Sequence, residues 1–212
     1  MNRQAIIERF TGGAFSTPDE QLPPPRGDRE LNPHMRPKAD LCPAAVLIPL
    51  VDRTDGLTVL LTQRTDHLEH HPGQISFPGG RIEDIDVSGS HQGAINAALR
   101  ETEEEVGLHR RQVSVIGLLD DYETRTGFRV TPVVGIISPP FTLRLDPFEV
   151  AQAFEVPLDH LLDPANHQRH RHTVNGAEHM FHAMPYEDHY IWGATAGMLM
   201  SLYEFLNPGT PA

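Results

Sequence analysis

Four glutamates lie within five consecutive positions of the sequence, at Glu101, Glu103, Glu104 and Glu105, shortly before Gly107. Carboxylate oxygens are the ligands that hard divalent cations such as Mg²⁺ prefer, so these side chains have the right chemistry for a metal site. A run of like charges is more often an ordinary solvated surface. The two interpretations differ in whether the glutamates share one face of the element that carries them.

A helix is predicted over residues 94–106, because Gly107 follows as a typical helix stop. Ser88 or Ser90 would lie near its start, since serine favours the N-cap position. One stripe of this helix is predicted to face a core, and it consists of Ile95, Leu99, Thr102 and Val106. Small residues lie on the same side as the glutamates, one or two turns earlier, and would let a second segment approach closely: Ala94, Ala97 and Ala98.

Helical spacing of about 100° per residue places Glu101, Glu104 and Glu105 within one arc of about 100°. Glu103 points nearly the opposite way and is predicted to be ordinary surface. Carboxylates near a helix C-terminus oppose the helix dipole by about 0.3–1 kcal/mol each. The pair Glu101 and Glu105 adds about 0.2–0.5 kcal/mol of repulsion, which Arg100 relieves only in part. A bound Mg²⁺ or Mn²⁺ would turn this cost into an attraction, so we predict Glu101, Glu104 and Glu105 as metal ligands.

The stretch R-E-T-E-E-E-V-G-L, residues 100–108, resembles the core of the Nudix box, R-E-U-x-E-E-x-G-U, in which U is apolar. Thr102 is the one imperfect match. Gly79 and Gly80, which follow Phe-Pro, resemble the glycine pair that opens the box. The resemblance implies a metal-dependent hydrolase of a nucleoside diphosphate linked to a second moiety. It also implies an α/β fold, the Nudix-type α/β/α sandwich around a mixed β-sheet.

The resemblance also implies roles for individual residues. Glu104 and Glu105 are candidates for the general base in addition to being metal ligands. Arg100 is expected to orient a glutamate rather than to touch the substrate. Gly79 and Gly80 would let the backbone approach the substrate closely, because glycine has no side chain.

One spacing departs from the family pattern. The family places an acidic residue six positions after the box glycine and seven before the arginine. Asp86 keeps the first spacing from Gly80, but residues 87–99 separate it from Arg100. We predict an enlarged loop over residues 87–93 and leave Asp86 out of the ligand set.

A second motif lies upstream, in L-L-T-Q-R-T-D-H-L-E-H-H-P-G-Q-I-S-F-P-G-G, residues 60–80. It resembles the extra motif of the coenzyme A pyrophosphatase branch of Nudix hydrolases, L-L-T-x-R-[S/A]-x3-R-x3-G-x3-F-P-G-G. The matching positions are Leu60, Leu61, Thr62, Arg64, Gly73, Phe77, Pro78, Gly79 and Gly80. Thr65 replaces Ser or Ala, and Glu69 replaces the second Arg.

The substrate implied by this motif is coenzyme A or acyl-CoA, cleaved to 3′,5′-ADP and 4′-phosphopantetheine. Glu69 removes a positive charge that could have met a substrate phosphate, and charge-assisted pairs are strong. ADP-ribose or another nucleoside diphosphate derivative therefore stays open as the substrate. A ligand-sensing module without turnover is disfavoured, since the glutamate core is complete and no basic helix-turn-helix-like extension is present.

Two more residues are candidates for the site. Arg64 either contacts a substrate phosphate or forms a structural pair at a strand end. Glu149, in D-P-F-E-V, lies where the family often supplies a late acidic catalytic group from a loop, and the alternative is an exposed loop acid. Trp192, Thr195 and Ala196 are expected to do no more than pack the last helix.

Strands are predicted where apolar and β-branched residues cluster between turns, over 44–51, 57–64, 113–119 and 130–137. A short helix at 159–162, a hairpin around 174–176 and a last helix over 194–206 follow. These elements predict a mixed α/β sandwich. The expected domain covers residues 41–208. Residues 1–40 are expected to form an N-terminal helix, which docks on the body, and a Pro-rich arm.

Composition limits the partners. A net charge of −12 argues against nucleic acid, which requires basic patches. No apolar run approaches the roughly 20 residues that cross a bilayer, and the first ten residues lack an apolar signal core. The single cysteine, Cys42, fits a reducing compartment, so a cytoplasmic location is expected. The histidine-rich stretch at 167–172 is expected to be an exposed loop.

The expected partner is a small molecule, coenzyme A or a related nucleoside diphosphate derivative, with no membrane contact. A homodimer stays open, because nothing in the sequence sets the oligomeric state.

Overall fold

A computed structural model of the chain describes residues 1–12, 26–35, 40–68, 70–86, 90–174 and 177–209. Its helices are α1 (Arg3–Gly12), α2 (Asp28–Leu31), α3 (Ser90–Val106), α4 (Leu158–Leu161) and α5 (Ala194–Leu206). The strands of the first sheet are β1 (Arg26–Gly27), β2 (Cys42–Arg53), β3 (Gly56–Arg64), β4 (Ile75–Ser76), β5 (Gly79–Arg81), β6 (Val113–Leu118), β7 (Tyr122–Glu123), β8 (Phe128–Ile137) and β9 (Val150–Pro157). The second sheet contains β10 (Gln168–Val174), β11 (Ala177–Tyr186) and β12 (His189–Trp192).

The first sheet is mixed and is built around β2. This strand pairs in parallel with β8, where Ile48 lies opposite Val134. It also pairs antiparallel with β3, where Leu50 lies opposite Val59. The order is β1-β7-β8-β2-β3-β4, with β5 on β2, β6 on β8 and β9 on β3. A strand that is covered on both faces needs a nearly continuous apolar sequence, which explains A-A-V-L-I-P-L-V.

Successive side chains of β2 enter different cores, because side chains alternate across a strand. Ala45 and Leu47 pack against α3, whose small residues Ala94, Ala97 and Ala98 are buried there. Ile48 and Leu50 belong to the larger core on the other face, which includes α4, α5 and the second sheet. Helices therefore cover both faces of a mixed sheet, and the predicted α/β sandwich is confirmed.

The amino-terminal helix contributes to the larger core. Ile6 and Phe10 of α1 are buried there, and the Phe10 ring centroid lies 4.4 Å from that of Phe205. The Arg9 Nε atom donates a hydrogen bond of 2.9 Å to the Phe205 carbonyl. Residues 13–25 and 36–39 of the predicted arm lie outside the described ranges.

Helix α3 is longer than predicted. It begins at Ser90, so residues 90–93 form its first turn instead of part of an enlarged loop. Residues 87–89 lie outside the described ranges. The predicted end is confirmed: Gly107 has φ of 70°, and its N–H donates to the Glu103 carbonyl at 3.0 Å.

The histidine-rich stretch was wrongly predicted as a loop. Residues 168–172 belong to β10, which pairs antiparallel with β11 from Gln168 opposite Ala183 to Val174 opposite Ala177. The side chains are exposed, as expected, but the backbone is paired. The hairpin predicted at 174–176 joins these strands, although 175–176 lie outside the described ranges.

Within the ranges just given, no helix is both long and apolar enough to cross a lipid bilayer.

Candidate active site

The glycine pair forms the floor of the candidate site. Gly79 and Gly80 open β5, where Gly80 lies opposite Ala45 of β2. A Cβ atom on Gly80 would overlap the carboxyl group of Glu101, and one on Gly79 would overlap the Ala45 carbonyl. Glycine at position 80 therefore lets the Glu101 carboxylate lie directly against β5, and glycine at position 79 lets β5 approach β2 closely.

Glu105 is the most buried of the predicted ligands, with 5% of its surface exposed. Its Oε2 atom accepts a hydrogen bond of 3.2 Å from the Gly79 N–H. Burial raises the pKa of Glu105 to about 8, against the lowering effect of this hydrogen bond. The negative charges of Glu149 and Glu101 raise it further, and the Arg64 charge lowers it. Ionising the Glu105 carboxyl group in the folded chain therefore costs free energy, in line with the repulsion predicted for these glutamates.

Arg100 holds the next group of contacts together. It donates from Nε and Nη2 to the two carboxylate oxygens of Asp86, at 3.1 and 2.9 Å. Its Nη1 atom donates to Glu101 at 2.8 Å and to Glu104 at 3.0 Å. Nη2 also donates to the Arg81 carbonyl at 3.2 Å. A guanidinium that contacts two predicted ligands has the geometry expected of a residue that orients a glutamate.

Asp86 is the residue that sequence reasoning left out. It is 3% exposed, and the Arg100 hydrogen bonds hold its pKa below the ordinary value. Its Oδ2 atom also accepts from the Glu83 N–H at 2.9 Å. The intact spacing of six residues from Gly80 was the available signal. The longer connection to Arg100 does not separate the two side chains, because α3 extends back to Ser90.

The remaining glutamates differ in exposure. The Glu101 side chain is 17% exposed, and burial is the main reason that its pKa is raised, although Arg100 lowers it. The Glu104 side chain is 59% exposed. Glu103 is exposed, and its carboxylate lies 3.8 Å from the His109 ring, away from the other three.

The three predicted ligands fit a divalent cation in chemistry but not in their present rotamers. Among the described residues, no three carboxylate, imidazole or thiol groups are arranged to hold a metal ion. The reason is visible: Arg100 holds Glu101 and Glu104, while the Gly79 N–H holds Glu105. Carboxylates that are crowded and partly buried, with raised pKa values at Glu101 and Glu105, are nevertheless the donor set that a hard cation stabilises. Glu104 is exposed enough to change rotamer without disturbing packing.

A loop brings Glu149 to the same place. The Arg144 and Asp146 N–H groups donate to the Val106 and Glu105 carbonyls, both at 2.8 Å, so the loop is attached to the end of α3. Glu149 is exposed, and its charge raises the pKa of both Glu101 and Glu105.

Arg64 lies at the end of β3. Its charge lowers the pKa of Glu105, and its backbone pairs with Val150, the residue after Glu149. The Arg64 Nε atom is buried, and within the described part of the chain it has no hydrogen-bond partner.

Most of the upstream motif serves the fold. Leu60, Leu61 and Phe77 are at most 2% exposed. Thr62 Oγ1 donates to the Ser76 carbonyl at 3.1 Å, joining β3 to β4. Glu69 lies outside the described ranges. Of the matching positions, Gly79 and Gly80 lie against the glutamates, and Arg64 carries a charge that lowers the pKa of Glu105.

The carboxyl-terminal candidates differ from one another. Thr195 and Ala196 are buried in α5, and Thr195 Oγ1 donates to the Ile75 carbonyl at 2.9 Å. Trp192 is the last residue of β12. It is 37% exposed and contacts Phe181 edge-on, with ring centroids 5.2 Å apart.

Comparisons with known proteins identify the family. The family model for the NUDIX domain matches residues 41–176. The Nudix hydrolase NudL of Escherichia coli strain K12 / DH10B is 45% identical over 160 residues, which cover 75% of this chain and 80% of that protein. NudL of Shigella boydii serotype 18 is 44% identical over the same shares.

Among solved structures, the Nudix hydrolase RenU from M. smegmatis aligns with a TM-score of 0.52 and 19% identity, covering 82% of this chain and 91% of that one. That likeness bears on the fold alone. Nudix enzymes generally need divalent metal ions. The family match and the NudL relatives together establish that this chain belongs to the Nudix family and is a hydrolase that acts on pyrophosphate bonds.

Proposed function

We propose that this protein hydrolyses the diphosphate bond of coenzyme A or acyl-CoA, giving 3′,5′-ADP and 4′-phosphopantetheine or its acyl form. As a Nudix hydrolase it acts on a nucleoside diphosphate derivative. The assignment of coenzyme A or acyl-CoA as the substrate depends on residues 60–80, which resemble the coenzyme A pyrophosphatase motif. The observation that supports it is that two matching residues of this segment act on Glu105: the Gly79 N–H donates to its carboxylate, and the Arg64 charge lowers its pKa.

Arg64 is proposed to contact a substrate phosphate. The diphosphate is anionic and must approach several carboxylates, so a cation near them is needed. Arg100 is already committed to Asp86, Glu101 and Glu104. The buried Nε atom of Arg64, which lacks a partner among the described residues, supports a charge-assisted hydrogen bond to phosphate.

Glu101, Glu104 and Glu105 are proposed to hold Mg²⁺ or Mn²⁺. Such an ion supplies charge neutralisation at the diphosphate oxygens, orients the reacting group and makes water more acidic. Gly79 and Gly80 are proposed as the backbone beside which the diphosphate lies, because glycine has no side chain to keep the substrate away.

A carboxylate of the same face is proposed to take the proton from the attacking water. Glu104 and Glu105 are two candidates, and Glu149, whose charge raises the pKa of Glu105, is a third. A general base works best when its pKa lies near the operating pH. Burial raises the pKa of Glu105 to about 8, which is close to neutral pH.

ADP-ribose is the alternative substrate, because Glu69 and Thr65 depart from the coenzyme A motif. A ligand-sensing role without turnover is less well supported, since every glutamate of the box is present. The cytoplasmic location and the homodimer stay predictions from the sequence.

A substrate panel tests the proposal. The full chain is incubated with Mg²⁺ or Mn²⁺ and with coenzyme A, acetyl-CoA or ADP-ribose, and products are separated by chromatography. Release of 3′,5′-ADP from coenzyme A is expected. Cleavage of ADP-ribose with coenzyme A left intact would replace the proposal with the alternative.

A further inference from the structure

Phe148 is an apolar residue in an unusual position. It is 73% exposed, and the other large apolar side chains of the described residues that are more than about a third exposed are Met1, Ile85, Tyr190 and Trp192. Its neighbours Pro147 and Glu149 are exposed as well. The Phe148 ring therefore stands out from the surface rather than filling a core.

The backbone around Phe148 is fixed by hydrogen bonds. The Phe148 N–H donates to Asp146 Oδ1 at 2.9 Å, and its carbonyl accepts from Thr65 Oγ1 at 2.8 Å. On either side, the Glu149 carbonyl accepts from the Thr65 N–H at 3.0 Å, and the Val150 N–H donates to the Asp146 carbonyl at 2.9 Å. A ring on such a segment loses little backbone entropy when a ligand binds, because that entropy is already lost on folding.

The same hydrogen bonds place Phe148 at the edge of the candidate site. Asp146, which accepts from the Phe148 N–H, donates its own N–H to the Glu105 carbonyl at 2.8 Å. Thr65, which holds the Phe148 carbonyl, directly follows Arg64. The ring is thus carried by a loop tied on one side to the proposed metal face and on the other to the proposed phosphate contact.

We propose that the Phe148 ring is the surface on which the adenine base of the substrate stacks while the diphosphate lies at the glutamates. Flat aromatic rings bind nucleobases through their faces, and every base has such a face. The inference rests on the proposed function only in that it requires a substrate with an adenine base, and both coenzyme A and ADP-ribose contain one. It therefore assigns a base-binding residue to either substrate.

A protein partner fits this feature less well. A stable protein interface buries about 800 Å² on each side. One phenylalanine supplies about 150–250 Å², and here its sequence neighbours include a charged glutamate. A single ring of this area matches one heterocyclic base.

Binding of AMP and of ribose 5-phosphate to the full chain tests the proposal without requiring turnover. Calorimetry in the presence of Mg²⁺ gives the Kd of each ligand, and only AMP carries the base. Phe148→Ala should weaken AMP binding about 10- to 100-fold, the range found for loss of a base-stacking ring, and leave ribose 5-phosphate unchanged. Phe148→Tyr keeps a flat ring, so its Kd for AMP should stay within about threefold of the wild-type value. Phe148→Leu has no ring and should lose most of the AMP affinity that the ring contributes.

Tyr190→Ala is the matched control, because Tyr190 is also an exposed aromatic residue but lies on β12. It should bind both ligands like wild type. The proposal is overturned by equal AMP affinity of wild type and Phe148→Ala, by an equal loss for both ligands, or by absence of AMP binding to wild type at millimolar concentration. If coenzyme A is not cleaved but AMP binding depends on Phe148, the proposed substrate fails while this inference stands.

Discussion

Replacing Glu105 by Gln should make the metal-free protein more stable. The folded chain keeps the Glu105 carboxyl buried against the Gly79 N–H and near the charges of Glu101 and Glu149. The neutral amide of glutamine removes the charge that this position disfavours, and its oxygen can still accept from Gly79. The same substitution removes a proposed metal ligand, so stability and activity should change in opposite directions.

The magnitude follows from the pKa. Glu105 has a pKa of about 8 when folded, against an ordinary value of 4.5. At 1.36 kcal/mol per unit, the difference between the folded and unfolded pKa costs the folded chain about 5 kcal/mol at high pH and between about 3 and 4 kcal/mol at pH 7. The new amide N–H groups lack an assigned partner, which costs about 1–2 kcal/mol. The net gain is about 2 kcal/mol at pH 7, or about 4–8 °C in melting temperature for a chain of this size.

The sign of the pH dependence is fixed by which state holds the proton. The unfolded chain releases the Glu105 proton near pH 4.5, whereas the folded chain keeps it until about pH 8. Wild-type stability should therefore fall as the pH rises through this window, relative to the Gln variant. Below pH 4.5 the advantage of the variant should disappear.

Thermal unfolding in EDTA, followed by circular dichroism at pH 4.5, 7 and 8.5, measures this difference. Glu103→Gln on the exposed side of α3 is the matched control and should not show it. Added Mg²⁺ or Mn²⁺ should stabilise wild type more than Glu105→Gln. A difference in melting temperature that is the same at all three pH values, or a less stable variant at pH 8.5, would refute the reasoning.

Three other substitutions test how the site is held. Gly80→Ala should push the Glu101 carboxyl group aside. A displacement of about 1 Å at a site should lower kcat on the order of 100-fold. The free energy of unfolding in urea should change little. Asp86→Asn should destabilise the fold by about 3 kcal/mol, measured by urea unfolding, because Arg100 loses a buried charged partner. In wild type, the stability that the Asp86–Arg100 ion pair contributes should be lost only at acid pH, because the pKa of Asp86 is lowered and its carboxylate loses its charge only there. Thr65→Val removes one hydrogen bond to the loop and should cost about 1 kcal/mol and raise KM, whereas Thr65→Ser keeps the hydroxyl and should behave like wild type.

Local patterns were sufficient to predict the elements that carry the site. The apolar stripe and Gly107 predicted the end of α3, and the structure places both as expected. Runs of apolar and β-branched residues predicted the cores of β2, β3, β6 and β8. The sequence 168–172 has no such alternation, and its strand conformation comes from pairing with β11, which is a tertiary effect.

Contacts between distant residues were harder to predict. The pairing of Asp86 with Arg100 depends on the path between them, and the departure from the family spacing was the reason that Asp86 was left out of the ligand set. The attachment of the 144–149 loop to α3 uses backbone groups, which carry no sequence signature. The predicted ligands share a helix face, but their present partners, Arg100 and the Gly79 N–H, could not be read from helical spacing alone.

Hydrolysis of coenzyme A by wild type, Glu104→Gln and Glu103→Gln, with Mg²⁺ or Mn²⁺ present, tests whether the Glu104 face of α3 holds the metal that hydrolysis requires. The two substitutions are chemically identical and adjacent on α3, but only Glu104 lies on the proposed metal face. We predict release of 3′,5′-ADP by wild type, a loss on the order of 100-fold or more for Glu104→Gln, and activity within about twofold of wild type for Glu103→Gln. Full activity in Glu104→Gln, or an equal loss in both variants, would contradict the account.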